Sequence, residues 1–128
     1  MKPTEKVLAF WEAMSTNDFE HAASLLSEEF EGLWPQSNEK ISGREDFTAI
    51  NSAYPQNGLW KFVVNKIVSE GPEVVTDVSI TDGVQSARAI TFHTVENGEI
   101  KRQVEYWPDE YEAPEWRRRW PDFYVAMS

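Results

Sequence analysis

Three side chains in the second half of the chain are of the types that acid–base chemistry uses: Asp77, Glu105 and Arg88. Asp77 sits in the run EVVTDVSI, residues 73–80, among Val75, Val78 and Ile80. An ionised carboxylate in so apolar a run is costly unless it is partnered. Either it pairs with a cation, for which Arg88 is the candidate, or its pKa is raised toward neutrality, as a general acid or base requires. Strand side chains alternate between faces, so Val75, Asp77 and Ser79 share one face of their strand, and Lys101, Gln103, Glu105 and Trp107 share one face of theirs. Arg88, between Ala87 and Ala89, either orients an anionic or polarised substrate group or neutralises Asp77. The catalytic expectation is that Asp77 and Glu105 project into one hollow and move protons while Arg88 orients. Ser79, Gln103 and Trp107 then touch the substrate. The alternative for both acids is an ordinary ion pair between neighbouring strands. His93 falls on the opposite face of its strand from Arg88 and reads as a satisfied or exposed strand histidine; His21 reads as a surface residue.

The elements that must position these groups are four strands joined by three short turns. Residues 59–68 are rich in aromatic and β-branched side chains and are punctuated by Gly71-Pro72. Residues 73–80 end at Asp82-Gly83, residues 84–95 end at Asn97-Gly98, and residues 99–107 close the set. Asp-Gly and Asn-Gly tolerate the positive φ of tight hairpins. Strands joined so closely are antiparallel neighbours, and long strands in one sheet twist and coil. Their concave face needs a helical layer.

The first half supplies it. Val7, Leu8, Trp11 and Met14 recur at helical spacing, Phe10 widens the stripe, and Pro3 suits a first turn, so residues 3–15 read as a helix. Asn17 with Glu20 reads as the cap of a second helix, which runs to about Ser27 on an apolar face of Phe19, Ala22, Ala23 and Leu26. Residues 30–34 form a short extended segment stopped by Pro35, and residues 36–41 a polar loop. Ser42-Gly43-Arg44-Glu45 has the form of a capping box, opening a third helix that carries Phe47, Ile50 and Tyr54 and stops at Pro55. Trp11, Trp34, Tyr54 and Trp60 are candidates for a pocket wall, with plain core as the alternative.

Composition excludes several functions. The chain has 128 residues, a length that suits one domain, with about residues 110–128 as an aromatic, charged tail. There is no cysteine, so thiol nucleophiles and disulfides are excluded, and two histidines do not make a histidine-rich metal site. A net charge of −10 opposes nucleic acid and anionic membranes, even with Arg117-Arg118-Arg119 set between Trp116 and Trp120. That tail is expected to wrap a partner subunit or the mouth of the domain. Met1–Lys6 is not followed by a long apolar run, and no stretch approaches a membrane span, so a cytoplasmic location is expected.

The order of elements, with Ser42-Gly43-Arg44-Glu45, Asn97-Gly98-Glu99-Ile100 and Glu105-Tyr106-Trp107, resembles the SnoaL-like branch of the nuclear transport factor 2-like superfamily over residues 3–109. The resemblance implies an α+β cone: three N-terminal helices packed on a curved antiparallel sheet around a pocket, with many members pairing as homodimers through the sheet. It implies cofactor-free lyases, isomerases or hydrolases acting on an apolar, carbonyl-bearing or cyclic compound; a non-catalytic ligand-binding or scaffolding dimer is the alternative. Asp77 matches the Asp of an Arg-x-Asp pair found in limonene epoxide hydrolase, but Val75 stands where the Arg would be. Glu105 matches that enzyme's last-strand Asp. No Tyr/Asp oxyanion pair of the ketosteroid isomerase kind is present.

Overall fold

A computed structural model describes residues 2–120. Helix α1, Pro3–Ser15, begins with proline in its first turn and buries Val7, Phe10, Trp11 and Met14. Leu8, expected in the same stripe, is instead exposed. The chain reverses at Asn17, which adopts φ 63°, a conformation asparagine tolerates. Asn17 does not cap the second helix. Its side chain accepts from Trp60 N and donates to Trp60 O, both at 2.8 Å, clamping this turn to the sheet. Asp18 is the cap, accepting from His21 N at 3.1 Å.

Helix α2, Phe19–Ala23, is shorter than its apolar spacing suggested. Leu26 is fully buried as the first residue of strand β1, Leu26–Trp34. The polar loop expected after it contains a second short strand, β2, Glu39–Ser42. Helix α3, Gly43–Ala53, follows. Ser42 occupies the cap position, yet its side chain makes no capping hydrogen bond. Arg44 anchors the helix start instead, donating to Leu26 O at 2.9 Å and to Glu99 Oε2 at 3.2 Å.

Strands β3 (Lys61–Glu70), β4 (Glu73–Thr81), β5 (Ser86–Glu96) and β6 (Glu99–Tyr106) form the expected antiparallel meander. The full order is β2-β1-β6-β5-β4-β3. One pairing corrects the all-antiparallel expectation: β1 lies parallel to β6, with Gly32 opposite Gln103. A parallel pair needs a long crossover, and α3 with the meander provides it. Register shifts at Asn65 of β3 and at Lys101 of β6 bend the strands, and the sheet is curved and unclosed.

Val74, Thr76, Val78 and Ile80 of β4 line the concave side, as do Ala89, Thr91, His93 and Val95 of β5. Helix α1 lays Phe10 and Trp11 onto this surface, with Phe10 5.9 Å from Phe47 of α3 and 6.2 Å from His93, centroid to centroid. Phe10, Phe30, Leu26 and Ile100 are fully buried, each stabilising by about 1.5–3 kcal/mol. A last helical turn, α4 (Glu115–Arg118), carries Trp116, whose ring meets Trp120 just beyond it edge to face at 6.4 Å. No described helix is long and apolar enough to cross a membrane.

Candidate functional site

Between the helices and the concave sheet lies a mostly apolar cavity of about 130 Å³. Seven residues expected at a pocket are in its lining: Trp11, Trp34, Tyr54, Trp60, Gln103, Glu105 and Trp107. Three are not. Asp77, Ser79 and Arg88 lie on the opposite side of the sheet, and the expectation that Asp77 and Arg88 share a hollow with Glu105 is corrected.

Register supplies the reason. Thr91 of β5 stands opposite both Thr76 of β4 and Glu105 of β6. Residues that stand opposite one another share a face, so Thr76, Thr91 and Glu105 point inward and Asp77 points outward. On that outer surface Arg88 Nε donates to Asp77 Oδ1 at 2.7 Å, and its terminal nitrogen bonds Asp77 Oδ2. Asn65 Nδ2 donates to Ser79 Oγ at 2.7 Å beside them. The Arg88 hydrogen bonds hold the Asp77 carboxyl below its ordinary range, the reverse of what a near-neutral proton carrier needs.

Glu105 is placed differently. Among the described residues it is the one carboxylate in the cavity lining, and no Lys or Arg joins it there. Its Oε1 accepts from Trp34 Nε1 at 3.1 Å and its Oε2 from Thr91 Oγ1 at 2.6 Å. Burial pushes its pKa up, and these two hydrogen bonds offset part of that. Trp34 and Trp107 meet edge to face at 6.1 Å beside it. Trp107 is held there by Gln36, whose Oε1 accepts from Trp107 N at 2.6 Å and whose Nε2 donates to Trp107 O at 3.3 Å.

One rim of the cavity is built on a carboxylate the sequence reading passed over. Asp82, in the β4–β5 turn, is buried. It accepts from the backbone N–H groups of Asn57, Val84 and Gln85 at 2.8–2.9 Å and from the side chains of Asn57 and Gln85. Burial alone would raise its pKa; these donors outweigh it and set the carboxyl well below the ordinary range. The knot starts β5 at Ser86 instead of residue 84 and places Gln85, Ser86 and Ala87 in the cavity lining, with Gln85 Nε2 donating to Pro55 O at 2.9 Å.

Two further polar groups were missed as parts of the site. Thr91 grips Glu105, and His93 is fully buried behind Gln103. Threonine in a strand carries no signal of its own. His93 could have been placed by noting that it falls in step with Ala89 and Thr91 on the less polar side of β5. His21 is exposed, as expected. Among the described residues no group of three His, Asp or Glu side chains gathers to hold a metal ion.

Helices packed on a curved six-stranded sheet that holds an aromatic cavity define the nuclear transport factor 2-like class. Within it, the chain belongs to the SnoaL-like domain family, whose profile matches residues 7–103. A candidate ketosteroid isomerase from Kribbella flavida DSM 17836 has the same fold with a TM-score of 0.84 and 27% identity, over 98% of this chain and 89% of that one. An NTF-2 like protein of unknown function from Burkholderia xenovorans LB400 is 28% identical with a TM-score of 0.77, over 98% and 94% of the two chains. An epoxide hydrolase of the LEH-like kind from M. tuberculosis, 16% identical, shares the fold alone, with a TM-score of 0.67 over 83% and 82%. No curated protein matches the sequence significantly.

Proposed function

We propose that this chain binds a small, apolar, oxygen-bearing ring compound in the cavity and relocates a proton on it with Glu105. The observation that carries this reading is a carboxyl, the one among the described lining residues, raised in pKa by burial and facing an aromatic cavity. A cavity near 150 Å³ accommodates benzene, so about 130 Å³ suits one ring. With Asp77 and Arg88 outside, no second carboxylate or cationic side chain of the described lining stands ready to activate water while Glu105 protonates a leaving oxygen. This disfavours hydrolysis and favours isomerisation, which one carboxyl completes alone. Ionised Glu105 takes the proton from the carbon between a carbonyl and a β,γ double bond. The electron pair moves into the dienolate, and the same carboxyl returns the proton to the γ carbon. Trp34, Trp107 and Trp60 hold the ring by apolar contact.

The test uses a β,γ-unsaturated cyclohexenone and follows absorbance of its conjugated isomer. Glu105→Gln should abolish turnover while ketone binding, read from tryptophan fluorescence, persists. Unchanged turnover removes Glu105 from the mechanism. Binding by the native chain without any turnover favours the second reading, a ligand-binding protein, for which Glu105 already having both oxygens bonded to protein donors speaks.

We further propose that two copies pair through the outer sheet face. Val63, Phe92 and Tyr106 are exposed there around the Asp77–Arg88 pair.

A further inference from the structure

A line of buried polar atoms runs behind the cavity wall and ends on it. Trp11 Nε1 is 3.2 Å from Thr76 Oγ1, Thr76 Oγ1 is 2.8 Å from His93 Nε2, and His93 Nδ1 is 3.1 Å from the Gln103 amide nitrogen. Thr76 and His93 are fully buried, and the rings of Phe10 and Trp11 pack on the histidine. Among the described residues no acid bonds His93 to hold it charged, and burial pushes its pKa down to about 3. The ring is therefore neutral and carries one proton.

Which nitrogen carries it follows from donor arithmetic. The Trp11 indole N–H can only donate, so Thr76 Oγ1 accepts it. If His93 also donated to Thr76, the hydroxyl proton of Thr76 would be left in the core without an acceptor, at the cost of an unmade buried hydrogen bond. If Thr76 donates to His93 Nε2, every group in the line is satisfied, and the ring proton sits on Nδ1. Nδ1–H then needs an acceptor, which the Gln103 amide supplies only by turning its oxygen to His93. Amide oxygen and nitrogen are told apart by this kind of polarity argument. A half-turn of the amide exchanges its nitrogen, 3.1 Å from Nδ1, for its oxygen. The far end of the amide bonds no described residue and is reached from the cavity, with Gly32 opposite it on β1.

We infer that the Trp11–Thr76–His93 line locks Gln103 with its NH2 group toward the cavity, so that the site selects ligands with a hydrogen-bond acceptor oxygen at that end. Gln103 and Glu105 are two residues apart on one strand face, about 7 Å along it. A carbonyl held by Gln103 thus leaves nearby ring carbons within range of Glu105. Thr76 and His93 are positioning residues, acting through Gln103. This inference rests on the cavity being a ligand site and not on any reaction there.

Two measurements on the full chain test it and keep the two ideas separable. Long-range nitrogen–proton NMR of the imidazole should find His93 protonated at Nδ1; a proton on Nε2 overturns the inference whether or not anything binds. Tryptophan fluorescence then compares cyclohexanone with methylenecyclohexane, which matches its shape without the oxygen. The native chain should prefer the ketone by about fivefold. Thr76→Val, similar in shape, should abolish the preference and scramble the tautomer, with methylenecyclohexane still bound. Equal affinity of the two probes for the native chain overturns the inference. Failure of both probes to bind sinks the ligand site, and the tautomer alone then decides the polarity of the line.

Discussion

Asp77 and Glu105 are two carboxylates on one sheet, the first in a strand rich in β-branched residues and the second in a mostly polar one, and they have opposite fates. Asp77 faces outward, and Arg88, 58% exposed at its side chain, neutralises it. Glu105 faces inward with no cation among the described lining residues, held by an indole N–H and a hydroxyl. The first is kept ionised by its partner; the second is pressed toward its neutral form by burial. The lesson is that the face of the sheet, not the residue type, decides whether a strand carboxylate is held ionised by a cation or pressed toward its neutral form.

The sharpest way to break the comparison is turnover. Glu105→Gln should lower isomerisation of the unsaturated ketone at least about a hundredfold, the range general-base removal reaches, while Asp77→Asn changes it less than about twofold. If the two variants behave alike, the assignment of faces to roles is wrong.

Next in size is stability at Asp82, the carboxylate that serves neither role. Asp82→Ala strips the acceptor from three backbone N–H groups. It should lower Tm by several degrees in calorimetry and weaken ketone binding, because Gln85 and Ala87 lose their placement at the rim. A Tm equal to native would show that the knot holds nothing.

The pH dependence of stability should carry opposite signs at the two principal acids. The Asp77 pKa is lowered in the fold, so its contribution is present above the ordinary 3.8 and fades as pH falls below it. Asp77→Asn should therefore cost stability at neutral pH and little in acid. The Glu105 pKa is raised, so its contribution is complete below the ordinary 4.5 and is lost as pH rises through the higher folded value. Glu105→Gln should melt higher than native at neutral pH, with the gain vanishing near pH 4. Its amide can still accept from Trp34 and donate to Thr91. Denaturant titrations across pH would show both curves, and parallel curves would refute the contrast.

The smallest effect concerns the outer face alone. Phe92→Glu should shift sedimentation from dimer to monomer without lowering turnover per chain. A native chain that sediments as a monomer removes the proposed pairing.

Much of the frame was legible in the residues. Pro3 and the Val7, Trp11, Met14 spacing bounded α1, and Asp82-Gly83 and Asn97-Gly98 placed two hairpins, because turn chemistry and helical period act over a few residues. What failed was equally physical. Leu26 continued an apolar helical pattern and became a strand, since pairing with β6 buried it completely. Ser42 kept its cap position and lost its cap bond, because Arg44 ties the helix start to Leu26 and Glu99. One clue to the true orientation of β4 did lie in the chain. Val74, Thr76, Val78 and Ile80 are on balance less polar than Glu73, Val75, Asp77 and Ser79, and the less polar set is the buried one.

By itself, the sequence determined which side chains share a face wherever a strand runs unbroken, because alternation every second residue is intrinsic to a strand; it did not reveal the extra residues Asn65 in β3 and Lys101 in β6 that interrupt it. It could not decide which face of one strand matches which face of the next, since that depends on turn length and register shifts. Only the tertiary structure settled this, by setting Thr91 opposite both Thr76 and Glu105 and laying α1 over that side. That arrangement put one acid in an aromatic hollow and left the other in water.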